Sequence, residues 1–291
     1  MVKDRKAKSE SQPELKLNFQ RVSDIMEQEK TQPTRTILKT ETFVDELLGG
    51  GIETGQTIAV IGEFGTGKTQ LLYSLLCTLP GQKLLIDCEG TFRASRLYEV
   101  AQNRSKISGT DPEKVVNETV HVRALSTDEQ IAAFQQAIKW ETKPDVIMVD
   151  GLITLFREEF SGGRAELSPR QQKLNHFIHM LNDYSWRNNK VVIVTNQVCS
   201  NPDSTVLYPQ PEERNKPAGG NIFGHGINNQ IYLRKVAGSK NKRIAIITDS
   251  SYIPRLETSF VITANGVEKP PKKAEEKTER GAEEETKEGE A

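Results

Sequence analysis

The sequence predicts an α/β protein with a mostly parallel twisted sheet and helices on both faces, and three observations carry that expectation. Short β-rich runs alternate with helix-patterned segments along most of the chain. A glycine-rich signature, "GEFGTGKT" (62–69), joins the first such run to the helix after it. Further on, "QIYLRK", "RIAIIT" and "SFVITA" follow one another with only turns between them, the pattern of an antiparallel C-terminal extension that closes one edge of the sheet.

The β-rich runs are "TIAVI" (57–61), "KLLID" (83–87), "TVHVRA" (119–124), "DVIMVD" (145–150) and "KVVIVT" (190–195), each followed by a helix-like segment. Their continuous Val/Ile/Leu character, without strict alternation, suits strands covered on both faces. A chain of 291 residues has room for one large core of this kind with extensions at its ends. Residues 1–18 and the tail "EKPPKKAEEKTERGAEEETKEGEA" (268–291) carry almost no apolar groups, so neither is expected to bury a core, and both are read as disordered.

The net charge of −1 hides an uneven distribution. From Val267 onward there are nine acidic and six basic residues, which leaves 33 Lys/Arg against 31 Asp/Glu elsewhere. No global basic field exists, so any DNA contact must be a local groove or loop. The three cysteines, Cys77, Cys88 and Cys199, are scattered, without C-x-x-C pairs, which argues against a disulfide framework or a zinc site. The N-terminus is charged, and no apolar run approaches the about eighteen residues a membrane span requires. A cytoplasmic protein without a membrane partner is expected.

The signature G-x-x-x-x-G-K-T is a phosphate loop. Its backbone N–H groups wrap phosphates, Lys68 reaches the β/γ oxygens and the Thr69 hydroxyl ligates Mg²⁺. In open parallel sheets ligands collect beyond the carboxyl ends of strands, so the residues just after each strand are the place to look for chemistry. Asp150 closes an apolar strand and is positioned to hold the Mg²⁺ shell opposite Thr69. An Asp at a strand end is also often a turn or helix-capping residue. Glu89, after the second strand, is a spare carboxylate able to polarise the attacking water, or else a solvated loop residue. Gln197, after the fifth strand, is placed to sense the γ-phosphate. His176 and His179 lack the spacing of a metal motif and read as surface or packing residues.

The stretches "GGGIETGQTIAVIGEFGTGKTQLLYSLL", "LLIDCEGTFRASRL", "FREEFSGGRAELSPRQQKL", "VVIVTNQV", "PAGGNIFGHG" and "YLRK" resemble, in order and spacing, the ATPase core of RecA/RadA recombinases of the archaeal–eukaryotic branch, over roughly residues 19–267. The resemblance implies a RecA-like P-loop ATPase core at 41–267, preceded by a linker with a polymerisation motif at 19–40. It implies ATP and Mg²⁺ as cofactors, with the nucleotide held by Gly62, Glu63, Phe64, Gly65, Thr66, Gly67, Lys68, Thr69 and Gln70. Glu89 becomes the water-activating glutamate, and Arg96 the arginine that stacks on adenine. Arg157 to Arg170 matches the family's first DNA-binding loop, with Arg157, Arg164 and Arg170 as phosphate contacts. Val198 to Asn221 matches the second, with Arg214 and Lys216. His225, Asp249 and Pro254 match residues placed across the subunit interface against the neighbour's ATP.

Several departures accompany the matches. Only some eighteen polar residues precede the core, where family recombinases carry a helix-hairpin-helix domain, so that domain is expected to be absent. The polymerisation motif reads Phe19-x-x-Val22 rather than Phe-x-x-Ala, and overpacking of a pocket costs about 1–3 kcal/mol. Gly151 stands where a serine is usual, Ser251 where a proline is usual, and the first DNA loop has one extra residue. The expectation is a recombinase paralogue that hydrolyses ATP on DNA in recombinational repair, nucleoid-associated, binding single-stranded and by extension double-stranded DNA. Its partners would be a main RadA-type recombinase or other paralogues, with self-association weakened. An autonomous strand-exchange recombinase is the alternative, and a nucleotide-gated regulator without a DNA role is a third reading.

Overall fold

The computed structural model describes residues 20–31, 35–200, 215–227 and 229–270. Phe19, Arg214, the N-terminal stretch 1–18 and residues 271–291 of the tail expected to be disordered lie outside the described residues. The chain divides into two units at residue 34. In the first, α1 (Val22–Thr31) begins at Val22, which is 73% exposed along with its helical neighbours Ile25 and Met26. Val22 is therefore the first residue of a helix.

The second unit holds a nine-stranded sheet. It is built from β3 (Thr57–Gly62), β4 (Lys83–Asp87), β5 (Thr119–Arg123), β6 (Val146–Asp150), β7 (Val191–Asn196), β10 (Asn229–Lys235), β11 (Lys242–Asp249), β12 (Glu257–Thr263) and β13 (Gly266–Glu268), in the order β13-β12-β11-β10-β3-β7-β6-β4-β5. The run from β10 to β5 is parallel, and β10 to β13 form an antiparallel meander. The sequence-predicted strands agree to within a residue at each end, and the predicted edge extension is this meander.

Successive strand residues feed opposite faces, as the two-residue period of a strand requires. Ile58 and Val60 pack into a layer with α2 (Phe43–Leu47), α3 (Lys68–Thr78), α4 (Ala94–Ser108) and α5 (Pro112–Asn117). Ala59 and Ile61 pack into the other layer with α6 (Thr127–Ala137), α7 (Thr154–Glu159), α8 (Arg164–Asn188) and α9 (Gly220–Gly226). Both faces of the central strands are covered, which is why those strands read as unbroken apolar runs.

Four differences from the sequence reading have physical causes. The short hairpin of β1 (Ile37–Leu38) and β2 (Ile52–Glu53) lies partly inside the stretch expected to be linker, so the folded unit starts at Arg35. At the other end, Val267 closes the core at its expected limit, fully buried with its N–H on the Ser74 hydroxyl at 2.9 Å, but β13 continues one residue into the expected tail, where Glu268 accepts from Thr263 and Asn265. The long helix that carries His176 and His179 begins at Arg164, inside the stretch expected as the first DNA-binding loop, and accommodates Pro169 in its second turn. Finally, β7 is followed by another strand, β8 (Val198–Ser200), which pairs with β9 (Asn215–Pro217).

Candidate active site and nucleic-acid face

The phosphate loop leaves β3 at Gly62 and enters α3 at Lys68, so the free N–H groups of a helix N-terminus face the loop, an arrangement suited to anions. Gly67 has φ +104°, which favours glycine, and a Cβ there would press on the tip of the Ile262 side chain at 2.8 Å. Lys68 is 8% exposed and its Nζ donates to the carbonyls of Gly62 (2.8 Å) and Glu63 (3.0 Å). Burial lowers its pKa, against the opposing pull of Glu89, Asp150 and Glu63. A partly desolvated ammonium spanning the mouth of the loop gains a stronger partner when an anion arrives.

Thr69 and Asp150 meet here, with the Thr69 hydroxyl donating to the Asp150 carboxylate at 2.9 Å. On its other oxygen Asp150 accepts from Thr195 at 2.6 Å, and the Thr195 oxygen accepts the Gly151 N–H at 2.8 Å. Burial pushes the Asp150 carboxyl up; the Thr195 hydrogen bond pulls it down and Glu89 adds to the rise. A hydroxyl and a desolvated carboxylate side by side are hard oxygen donors that fit Mg²⁺, whose charge would relieve the cost of burying Asp150. Thr91 adds a weaker contact to the same carboxylate at 3.5 Å.

Glu89 and Gln197 also come together: the Gln197 amide donates to Glu89 Oε1 at 2.9 Å, and the Thr154 hydroxyl reaches the same oxygen at 3.4 Å. Glu89 lies in space left open by residue 151. Gly151 has φ +85°, and a Cβ there would be 2.5 Å from Glu89 Cγ. The departure Gly151 thus has a local reason in this chain.

A cavity of about 290 Å³ runs from Lys68 and Thr69 past Gln70 and Tyr73 to Arg93 and Arg96, with Glu89 and Phe64 on its walls. Arg96 lines it, yet its guanidinium is already engaged by Gln70, Glu99 and the carbonyls of Thr263 (2.8 Å) and Ala264 (3.0 Å). Its edge is spent on the β12–β13 turn, leaving the ring-like faces as the surface open to a base. Phe64, at the tip of the loop, is 86% exposed.

The expected first DNA loop is largely helical. Arg157 lies exposed on α7 and Arg170 half-buried on α8, so only residues 160–163 between them are non-helical; Arg164 opens α8. Arg157 shares a cavity of about 370 Å³ with Thr154, Asn196 and Gln197, which sets this face directly against the Glu89 pair. Lys216, on β9, is exposed. His225, Asp249 and Pro254 are exposed too, at the amino ends of the parallel strands, opposite the phosphate loop. Gln230 ties their elements together by donating to Gly224 O (2.6 Å) and Asp249 (3.4 Å). His176 and His179 face solvent.

Sequence reasoning missed Thr195, Tyr73 and Asp87. A search of the residues just after each strand passes over Thr195, which is inside β7. Tyr73, whose hydroxyl accepts the Arg93 N–H at 2.7 Å, carries no motif. Asp87 is the last residue of β4 and reads as ordinary strand until its partners are seen.

No helix among the described residues is long and apolar enough to cross a membrane. The sequence model of the Rad51 family matches residues 34–270. Members of that family bind and hydrolyse ATP with Mg²⁺ and bind single-stranded DNA, and the phosphate loop, buried Asp150 and nine-stranded sheet described above are the parts such work requires. The chain belongs to the Rad51 family of RecA/RadA-type recombinases, proteins of DNA recombination and repair.

Proposed function

We propose that this chain is a recombinase paralogue that hydrolyses ATP on DNA and assists a main recombinase or other paralogues in recombinational repair. The observation that carries the chemistry is the pairing of Gln197 with Glu89 beside the Thr69–Asp150 contact. Glu89 acts as general base for the water that attacks the γ-phosphate. Gln197 holds that carboxylate, and because it also borders the Arg157 cavity, DNA bound there acts on the base through it. Lys68 leaves the loop carbonyls to meet the β/γ oxygens. Thr69 and Asp150 hold Mg²⁺, which when bound neutralises charge on those oxygens. Gly62 to Gln70 cradle the phosphates and Arg96 stacks on the adenine. Arg157, Arg164, Arg170, Arg214 and Lys216 take the DNA phosphates.

His225, Asp249 and Pro254 belong to the opposite end of the sheet from this chain's own phosphate loop, so they serve a neighbour's nucleotide and turnover needs an assembly. Such a head-to-tail contact is heterologous. The paralogue reading is favoured over an autonomous recombinase by Val22, whose added methyl groups weaken self-association through the Phe19 motif. An ATPase assay with and without single-stranded DNA, beside a strand-exchange assay, tests it. Stimulation without exchange is expected; stimulation with exchange replaces the paralogue by the autonomous recombinase, and neither activity leaves the nucleotide-gated regulator.

A further inference from the structure

The segment that carries Glu89 hangs from one buried carboxylate. Asp87, 2% exposed, accepts the backbone N–H of Glu89 (3.0 Å) and Gly90 (2.6 Å) on one oxygen and that of Phe92 (3.3 Å) on the other. Three converging amides orient the loop, and a charged acceptor makes each bond about twice as strong as a neutral one. The charge is shared with β5. Arg123, the direct register partner of Asp87, donates to its carboxylate at 3.3 Å and to its carbonyl at 3.1 Å, and lies over Gly90, where a Cβ would be 3.0 Å from the guanidinium carbon. His121 of the same strand lies with Nε2 3.7 Å from Asp87 and stacks on Phe92 at 4.4 Å between ring centres.

We propose that Arg123 and His121 are positioning residues that set the catalytic carboxylate of Glu89 through Asp87. An ordinary strand-end ion pair would serve the strand; here the side chain of Asp87 spends its amide bonds on the segment bearing Glu89. That carboxylate is then fixed at two points, its backbone by β4 and β5 and its oxygen by Gln197 of β7. An edge strand of the sheet, which among the described residues pairs only with β4, thereby governs the alignment of the base. The proposal rests on the reading of Glu89 as that base.

The test uses the full-length chain with single-stranded DNA and ATP. Arg123→Gln is expected to lower kcat by about 10 to 10², the scale on which a small misplacement acts, with KM for ATP nearly unchanged. Arg123→Lys should restore part of the loss and His121→Ala should give a smaller one. Amide hydrogen exchange over residues 88–93 should rise in Arg123→Gln while α3 and β6 keep their protection. In a Glu89→Gln background the Arg123 substitution should cause no further loss. Unchanged kcat and exchange in Arg123→Gln, or a full additional loss in that background, overturns the proposal. Wild-type turnover in Glu89→Gln alone, with exchange still raised by Arg123→Gln, overturns the reading of Glu89 and leaves the suspension of the loop intact.

Discussion

The nucleotide end and the proposed nucleic-acid face of this protein meet at Gln197, and they are built in opposite ways. Around Asp150 the polar atoms have short partners: Thr69 and Thr195 on the carboxylate, with Thr91 farther off at 3.5 Å, Gly151 behind them and Gln197 on Glu89. Across the border Arg157 and Lys216 stand exposed on separate elements, α7 and β9. Around Asp150 and Glu89 the first region is preorganised, and of its charged groups Lys68 is the one that exchanges the loop carbonyls for the phosphate oxygens. On the proposed reading the second presents charge to a flexible polyanion, where long-range attraction serves in place of a fixed geometry. A site for one small ligand can be built from adjacent strand ends, whereas a face for a polymer is assembled from whatever the loops bring.

The largest expected effect tests preorganisation. Glu89→Gln should retain nucleotide binding while slowing turnover by at least about 10², the low end for loss of a positioned base, and Lys68→Ala should instead weaken binding itself. Nucleotide titrations beside turnover rates check both, and an unaltered rate in the Gln variant removes Glu89 from the chemistry. On the other side of the border, neutralising Arg157, Arg164 and Arg170 together should weaken single-stranded DNA binding and flatten the slope of log K against log salt by about 2, at about 0.7 per phosphate. Affinity and slope both kept would place the groove elsewhere.

Gly151→Ala probes the border. The positive φ alone costs about 1–3 kcal/mol, and the new Cβ displaces Glu89, so melting temperature and turnover should both fall while DNA affinity holds. Weakened DNA binding of equal size would mean the two regions are not separable.

Asp150→Asn sharpens the contrast in the absence of nucleotide and Mg²⁺. Burial raises the carboxyl, so the folded chain binds that proton more tightly than the unfolded chain. The resulting stabilisation is complete below the ordinary aspartate range and is lost as pH rises through the raised folded value. At neutral pH the ionised group therefore costs stability, and the Asn variant should melt higher there, with the gain shrinking on acidification. A lower melting temperature at neutral pH would mean the hydroxyl bonds outweigh desolvation. The smallest effect is expected from Val22→Ala, a modest shift toward larger ATP-dependent assemblies by sedimentation, and long filaments already formed by the unmodified chain would remove the basis for weakened self-association.

Much of the fold was legible because strand and phosphate loop are written in adjacent residues: β3 and β6 match their predicted runs to within one position at an end. The stretch from Arg157 to Arg170 was read as a loop, whereas α8 starts at Arg164 and takes Pro169 into its second turn although proline usually marks a helix start. The charged look of the tail hid Glu268, which closes β13 by accepting from Thr263 and Asn265. Within the site, the closeness of Thr69 to Asp150 followed from the motif, but the roles of Thr195 and Asp87 rest on pairings distant in sequence that no local spacing reveals. The candidate basic residues could be named but not their scaffold, because charge carries no record of whether the backbone beneath it is loop or helix.

The strand that bears the phosphate loop has neighbours only late in the chain. β3 pairs with β7, from Val192 onward, and with β10, from Asn229 onward. Until those strands are made, "TIAVI" is an apolar ribbon with two open edges, a period of about 10–30 s at the pace of synthesis of about 5–20 residues per second. Closing loops of that length precedes any reward from pairing, which slows assembly and exposes the ribbon to other nascent chains. Nucleotide cannot shelter it, because Lys68 and Asp150 are not brought together before β6 and β7 are in register. For this chain the vulnerable moment is its birth, and cellular abundance should depend on holdase capacity during translation more than on the stability of the finished fold.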